Sequence, residues 1–303
     1  MIYDLIIIGA DSAGLTAGVY AGRKMLKTLI VSKKLGGQTV TTNIIENIPG
    51  FESITGPEFI IKLSKQAQKY GAEIKEGIEI VGIERNSNNF LVKSKEESFE
   101  TKTIIIATGR KPKDINVPGE KEFKAKGISY CTTCDAPIFT GKDVAVIGSG
   151  NAGLESALDL AKYANKIYVL GITDNLVGDE YLQERIKQTE KIKIITQAKV
   201  KEIKGSNFVE KIIYEDQQSQ ETKELNVQGV FINIGWLPAT DFLKEFPERS
   251  KTGEIIVNYK TMATSVNGIF AAGDVTDGIY KQIVIAASDG ARAALSAYNY
   301  LSR

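Results

Sequence analysis

Val144-Ala145-Val146-Ile147-Gly148-Ser149-Gly150-Asn151-Ala152-Gly153 decides the fold. An apolar, β-branched run enters a G-x-G-x-x-G spacing, a helical pattern continues to about Tyr163, and Lys166-Ile167-Tyr168-Val169-Leu170 reads as a strand again. Glycines at this spacing say little alone. After a strand and before a helix, they let backbone N–H groups and the helix N-terminus face a dinucleotide pyrophosphate. The same design stands 139 positions earlier (148 minus 9): Leu5-Ile6-Ile7-Ile8, Gly9-Ala10-Asp11-Ser12-Ala13-Gly14, a helix through about Lys24, then Thr28-Leu29-Ile30-Val31. Alternating strands and helices predict an α/β protein with parallel sheets and two Rossmann-like dinucleotide-binding domains.

Between the two loops lies Cys131-Thr132-Thr133-Cys134-Asp135, and these are the only 2 cysteines in 303 residues. A metal site would need two further soft ligands, which the chain does not offer; a redox-active disulfide needs only this pair. Histidine is absent, so Ser-His-Asp and Cys-His nucleophile pairs cannot be built, and proton traffic must run through Asp, Glu, Lys, Tyr or water. With 38 basic and 37 acidic residues, the net charge of +1 gives no footprint for nucleic acid. The chain opens into a strand at Tyr3 to Ile8 without a basic, apolar and small-residue series. No apolar run approaches the roughly 20 residues that span a bilayer. The expectation is a cytoplasmic protein, with no membrane partner.

Ile104-Ile105-Ile106-Ala107-Thr108-Gly109 reads as a buried strand ending in a tight turn, and Gly229 to Gly235 as another, stopped at Trp236-Leu237-Pro238. Ile269-Phe270-Ala271-Ala272-Gly273-Asp274 leads to a last helix over about Gln282 to Tyr300. The polar stretches near 85–100 and 202–225 are expected to form small antiparallel meanders. Asp11 stands where the first loop should carry its second glycine. A carboxylate ~5 Å from a phosphate opposes binding by about 3 kcal/mol at an effective dielectric of about 20. Turned aside, it caps the following helix instead.

Over essentially its whole length the chain resembles the low-molecular-weight thioredoxin reductases and the related flavin-containing component of alkyl hydroperoxide reductase. The markers are the first glycine loop, Gly36-Gly37-Gln38, Glu46-Asn47, Ala107-Thr108-Gly109, Cys131-Thr132-Thr133-Cys134-Asp135, the second loop, Gly273-Asp274-Val275 and Lys281-Gln282-Ile283. The resemblance implies domains of the three-layer ββα type, the second inserted in the first: an FAD-binding domain over 1–114 and 243–303, and a domain over 115–242 that carries the dithiol. It implies hinges at Pro112 to Gly119 and at Trp236 to Thr240, and a homodimer. Gly9, Gly14, Gly37, Gln38, Asn47, Ala107, Gly109, Asp274 and Gln282 would contact FAD, and Gly148, Gly150 and Gly153 a nicotinamide dinucleotide. Cys134 would face the flavin, Cys131 would attack the partner disulfide, and Asp135 would return the proton. The implied activity passes electrons through FAD and the Cys131/Cys134 disulfide to thioredoxin or a thioredoxin- or glutaredoxin-like protein.

At the donor the pattern departs. Relatives that use NADPH carry arginines just beyond the strand that follows the second loop, and those that use NADH carry a carboxylate at its end. Here the strand ends at Gly171, the nearest acid is Asp174, and no arginine occurs before Arg185. Three donors follow as alternatives: NADH gripped through Asp174, a protein such as ferredoxin, or a second flavin in that domain. A reading of another class is a flavin/dithiol redox sensor that reports to a partner without turning over.

Overall fold

The structure, a computed structural model, describes residues 2–42, 45–244 and 246–302. In chain order the first part contains β1 (Ile2–Ile8), α1 (Ser12–Arg23), β2 (Thr28–Ser32), α2 (Gly56–Lys69), β3 (Glu73–Glu76), β4 (Ile80–Asn86), β5 (Asn89–Ser94), β6 (Ser98–Ile106) and β7 (Arg110–Pro112). There follow β8 (Ile128–Ser129), α3 (Thr132–Asp135), β9 (Asp143–Ile147), α4 (Asn151–Leu160), β10 (Lys166–Leu170), α5 (Glu180–Gln188), β11 (Ile192–Ile195), β12 (Ala198–Gly205), β13 (Val209–Asp216), β14 (Thr222–Asn226) and β15 (Gly229–Ile232). The chain ends with β16 (Trp236–Pro238), β17 (Ile269–Ala271) and α6 (Ile283–Leu301). It divides into two compact units, residues 1–111 with 237–303, and residues 112–236. The crossings fall slightly before the 114/115 and 242/243 divisions expected from the sequence, where the short strands β7 and β16 pair with each other.

In the first unit β1 pairs in parallel with β2 and with β6 over Glu100–Ile106, and β17 joins β6 on Ile104–Ile106. The first half of β6 pairs antiparallel with β5, which pairs with β4. One long strand therefore joins the parallel and antiparallel parts of a single seven-stranded sheet: its apolar end lies among parallel strands and its polar start also holds the β4–β5 meander. Leu5, Ile6 and Ile7 are fully buried. Burying each contributes roughly 2–3 kcal/mol, so this strand can only be central. Helix α2, outside the expected elements, begins at a Thr55 cap that accepts from Glu58 N at 3.2 Å, with Pro57 in its first turn.

The second unit repeats the plan. Strands β11, β10, β9, β15 and β8 lie in that order, all parallel, and β12–β13–β14 form the separate meander. The strand expected over 229–235 stops at Ile232, and Gly235 takes a φ of +106°, a left-handed turn that ends pairing before β16. The helices begin and end within a few residues of expectation: α1 stops at Arg23, α4 runs from Asn151 to Leu160, and α6 from Ile283 to Leu301. Among the described residues, no helix is long and apolar enough to cross a membrane.

Candidate functional site

The candidate site residues fall into three constellations, each within one unit. In the first unit the site residues gather beyond the carboxyl ends of the parallel strands, where an open α/β sheet binds its ligand. Gly9 follows β1, Ala107 follows β6 and Asp274 follows β17. At Gly9 (φ +116°) an added Cβ would lie 2.1 Å from Ala107 O, so the turns after β1 and β6 touch at a point only glycine permits. A Cβ at Gly14 would meet Gly9 O at 1.8 Å, and one at Gly290 on α6 would meet Ala13 O at 2.0 Å. These contacts close the loop and pack α6 on the start of α1. The first intrahelical bond of α1 is Leu15 N to Asp11 O (2.8 Å), so the N–H groups of Ala13 and Gly14 precede it, the arrangement that receives an anion.

Around this turn, Gly36 N donates to Ala10 O (2.7 Å) and Gln38 Nε2 to Arg110 O (3.3 Å). Asn47 Nδ2 donates to Gln282 Oε1 (3.2 Å), which joins two site residues 235 positions apart. Arg110 holds Asp274 Oδ2 through Nη2 (2.9 Å) and Nε (3.1 Å). Lys281 Nζ donates to the carbonyl oxygens of Asp274 (3.1 Å) and Thr276 (2.6 Å), and burial pushes its ammonium below the usual lysine range. Neither Arg110 nor Lys281 was assigned a role from the sequence; Arg110 directly follows the Ala107-Thr108-Gly109 marker, and Lys281 opens the Lys281-Gln282-Ile283 one. The structure thus places Gly9, Gly14, Ala107, Gly109 and Asp274 beyond the carboxyl ends of the parallel strands, ties Gln38 to Arg110 and so Gly37 beside it, and bonds Asn47 to Gln282. A cavity of about 400 Å³ opens beside them, lined by Gly273, Asp274, Tyr259, Tyr280 and Arg292 among others, but by none of the first glycine loop.

The dithiol belongs to the second unit. Cys131 and Cys134 form a disulfide. Cys131 is the N-cap of α3, and its Sγ accepts from Cys134 N at 3.2 Å. Asp135, on the same turn, accepts at Oδ2 from Ser129 Oγ (2.6 Å), and Ser129 Oγ in turn accepts from Cys131 N (3.0 Å). Ser129 is buried at the end of β8, pinned by pairing to Phe231 of β15. One hydroxyl therefore ties the acid to the cysteine backbone.

Behind it, Glu120 is 3% exposed, and its carboxylate accepts from Ile115 N (2.9 Å), Asn116 N (2.7 Å) and Tyr130 Oη (2.7 Å). Burial first, and then the Glu120 carboxylate, hold the Tyr130 hydroxyl far above its ordinary range. The residue before Cys131 is thus anchored to the segment that follows β7. Sequence reading missed Ser129, Glu120 and Tyr130; only their proximity to the Cys-x-x-Cys marked them.

The second glycine loop reproduces the first. At Gly148 (φ +126°) a Cβ would lie 2.1 Å from Asn233 O, and at Gly153 2.1 Å from Gly148 O, whereas Gly150 faces open space. Asn233 Nδ2 is buried beside this turn and finds no acceptor among the described residues. The ribose end differs. A Cβ on Gly171 would lie 2.9 Å from Ser149, so no longer side chain fits there without a shift. Asp174 accepts from Gln197 Nε2 (2.5 Å), and Arg185 lies on α5 over the Tyr181 ring, 5.8 Å from its centroid. The segment after Gly171 folds back on the loop: Val177 N and Gly178 N donate to Ser149 O (2.9 and 3.1 Å), and Asp179 N donates to Asn151 Oδ1 (2.7 Å). Among the described residues, no group of three or more Cys, Asp or Glu stands ready to hold a metal.

This fold and sequence are similar to those of known proteins. A structure of thioredoxin reductase from Lactococcus lactis superposes with a TM-score of 0.92, at 35% identity over 99% of both chains. Among curated relatives, a Bacillus subtilis protein named NADH dehydrogenase is 40% identical over 301 residues, 99% of this chain and 59% of its own. The F component of alkyl hydroperoxide reductase from Staphylococcus aureus is 41% identical over 302 residues, with the same coverage. The chain thus spans about three-fifths of the length of these two relatives. The family model for pyridine nucleotide-disulphide oxidoreductases matches residues 3–290, nearly everything described above, and the chain belongs to that family.

Proposed function

We propose that the chain is a thioredoxin reductase-like flavoenzyme that binds FAD in the first unit and passes two electrons through Cys131 and Cys134 to a disulfide of thioredoxin or a thioredoxin-like protein. The observation that carries this reading is the disulfide at the start of α3, with Asp135 hydrogen-bonded beside it. The first unit fits FAD: its glycine turn, the leading N–H groups of α1 and the Asp274 turn lie beyond the carboxyl ends of the parallel strands. When bound, the flavin supplies two-electron transfer to the disulfide.

The remaining chemistry belongs to the protein's own residues. Reduction of the Cys131–Cys134 bond gives two thiols. A Cys131 thiolate at the N-cap is placed to accept the Cys134 N–H. It attacks one sulfur of the partner disulfide, forming a mixed disulfide and releasing one partner thiolate. Cys134 then attacks Cys131, which regenerates the internal bond and releases the second partner thiolate. Asp135, oriented by Ser129, supplies a proton to a departing thiolate.

A second reading concerns the donor. The Asn233 orphan and the open Gly150 fit a dinucleotide, but the ribose end carries neither fork nor free acid: Gly171 is packed on Ser149 and Asp174 is bonded to Gln197. The missing fork disfavours NADPH, and NADH, reduced ferredoxin and a second flavin stand as alternative donors.

Anaerobic titration of the flavin absorbance with NADPH, NADH and reduced ferredoxin, with a count of flavins per chain, separates these donors. Cys131→Ser and Cys134→Ser should each abolish reduction of a thioredoxin disulfide while the flavin still bleaches with the competent donor. Undiminished disulfide reduction in both variants would end the proposal, and turnover by the parent excludes a sensor that does not cycle.

A further inference from the structure

Asp11 departs from the glycine-loop pattern, and the carboxylate it adds is fully engaged. Oδ1 accepts from Ser12 N (2.6 Å) and Ser12 Oγ (2.9 Å); Oδ2 accepts from Gln38 N (3.1 Å) and Thr39 N (3.2 Å). An ionised carboxylate offers about four lone-pair sites, and four donors take them. Two of the donors lie on the first glycine loop and two on the segment 36–39, more than two dozen residues along. The backbone reaches the carboxylate by a route only glycine takes easily. Gly37 has a φ of +48°, and a Cβ there would lie 2.7 Å from Asp11 Oδ2. Asp11 also sits at the N-cap of α1, where the helix dipole favours a negative charge. Its charge is therefore turned along the loop and neutralised by backbone N–H groups. The opposition to a phosphate weighed from the sequence assumes a carboxylate aimed outward.

We infer that Asp11 is a positioning residue for the cofactor: a latch that locks the Gly36–Thr39 segment onto the first glycine loop and so tightens the hold on FAD. Ordinary members of the pattern gain a close backbone approach from glycine here; this chain gains a cross-loop bridge. The inference rests on the reading that FAD occupies the first unit.

The test measures the FAD dissociation constant of the full chain by flavin fluorescence, and the thermal midpoint of the flavin-free protein, for the parent, Asp11→Gly and Asp11→Asn. Asp11→Gly should weaken FAD by roughly ten- to a hundredfold, the worth of one or more hydrogen bonds to a charged group, and should lower the flavin-free midpoint. Asp11→Asn, which keeps one acceptor oxygen, should recover part of the loss. Val92→Ala, in the remote strand β5, provides a destabilised control whose FAD affinity should not move. Binding that is unchanged or tighter in Asp11→Gly overturns the inference and shows a carboxylate that repels the phosphate. If Asp11→Gly does not fold, Asp11→Asn decides by the same sign. A parent that takes up no FAD overturns the functional reading and the latch with it; a parent that binds FAD with an indifferent Asp11 overturns the latch alone.

Discussion

Adding one methyl group at Gly148 or at Gly150 separates the structural from the ligand-facing glycines of the second unit. At Gly148 the new carbon would stand 2.1 Å from Asn233 O, where ordinary contact begins near 3.4 Å, and the backbone φ is +126°. Relieving that overlap requires a backbone shift of about 1 Å, which costs ~1–3 kcal/mol as overpacking, with a further ~1–3 kcal/mol for a side chain in a left-handed conformation. Gly148→Ala should therefore lose about 3–5 kcal/mol, enough to lower the melting temperature of a unit this size by roughly 10 °C or more. At Gly150 the methyl meets nothing within 4 Å, and φ −87°, ψ 179° suit any residue. The cost there is about 1 kcal/mol or less, the difference between Gly and Ala at an N-cap. If a dinucleotide lies on this loop, that methyl occupies the ground its pyrophosphate needs, and donor-driven bleaching of the flavin should slow at least tenfold in Gly150→Ala at nearly unchanged stability. Thermal melts and anaerobic stopped-flow spectra read the two effects separately. A Gly148→Ala protein that melts with the parent, or a Gly150→Ala protein that falls as far as Gly148→Ala, refutes the steric reasoning. Unaltered bleaching in Gly150→Ala moves the donor away from this loop.

Glu120→Ala leaves the part-buried N–H groups of Ile115 and Asn116 without their acceptor, and should cost about 1–2 kcal/mol in urea unfolding at an unchanged m-value. Ser129→Ala frees the Asp135 carboxyl, and should slow protein-disulfide reduction about tenfold while adding little in an Asp135→Asn background, as a double-mutant cycle would show. Desolvation by the neighbouring protein atoms, although the residue itself is exposed, and then the charges of Asp159 and Asp179, raise Glu155 above the usual carboxylate range. The folded state therefore holds that proton more tightly than the unfolded chain. Stability attributable to this group is present below its unfolded pKa near 4.5, and is lost as pH climbs through the raised folded value. Glu155→Gln should flatten that decline, and equal pH profiles for parent and variant from pH ~4 to 7 would contradict it.

Much of this molecule is written locally. A β-branched run, a glycine turn and a helix depend on residues within a few positions of each other, so both units, the dithiol turn and the strand ends at Ala107 and Ala271 could be read from the chain. The two meanders were legible as well, at β4–β5–β6 and β12–β13–β14, although β6 also serves the parallel layer. Side-chain partnership across distance was not legible. Whether Asp11 repels a phosphate or ties two loops together depends on where residues 38 and 39 return, and residue order alone leaves both possible. Glu120 reads as one more surface acid until the fold buries it under Tyr130 and two backbone donors. Asn47 and Gln282 meet only because α6 comes back to the sheet edge where the chain began. Periodicity and turn chemistry select the elements; the direction of a carboxylate is settled by which donors the finished packing brings within about 3 Å of it.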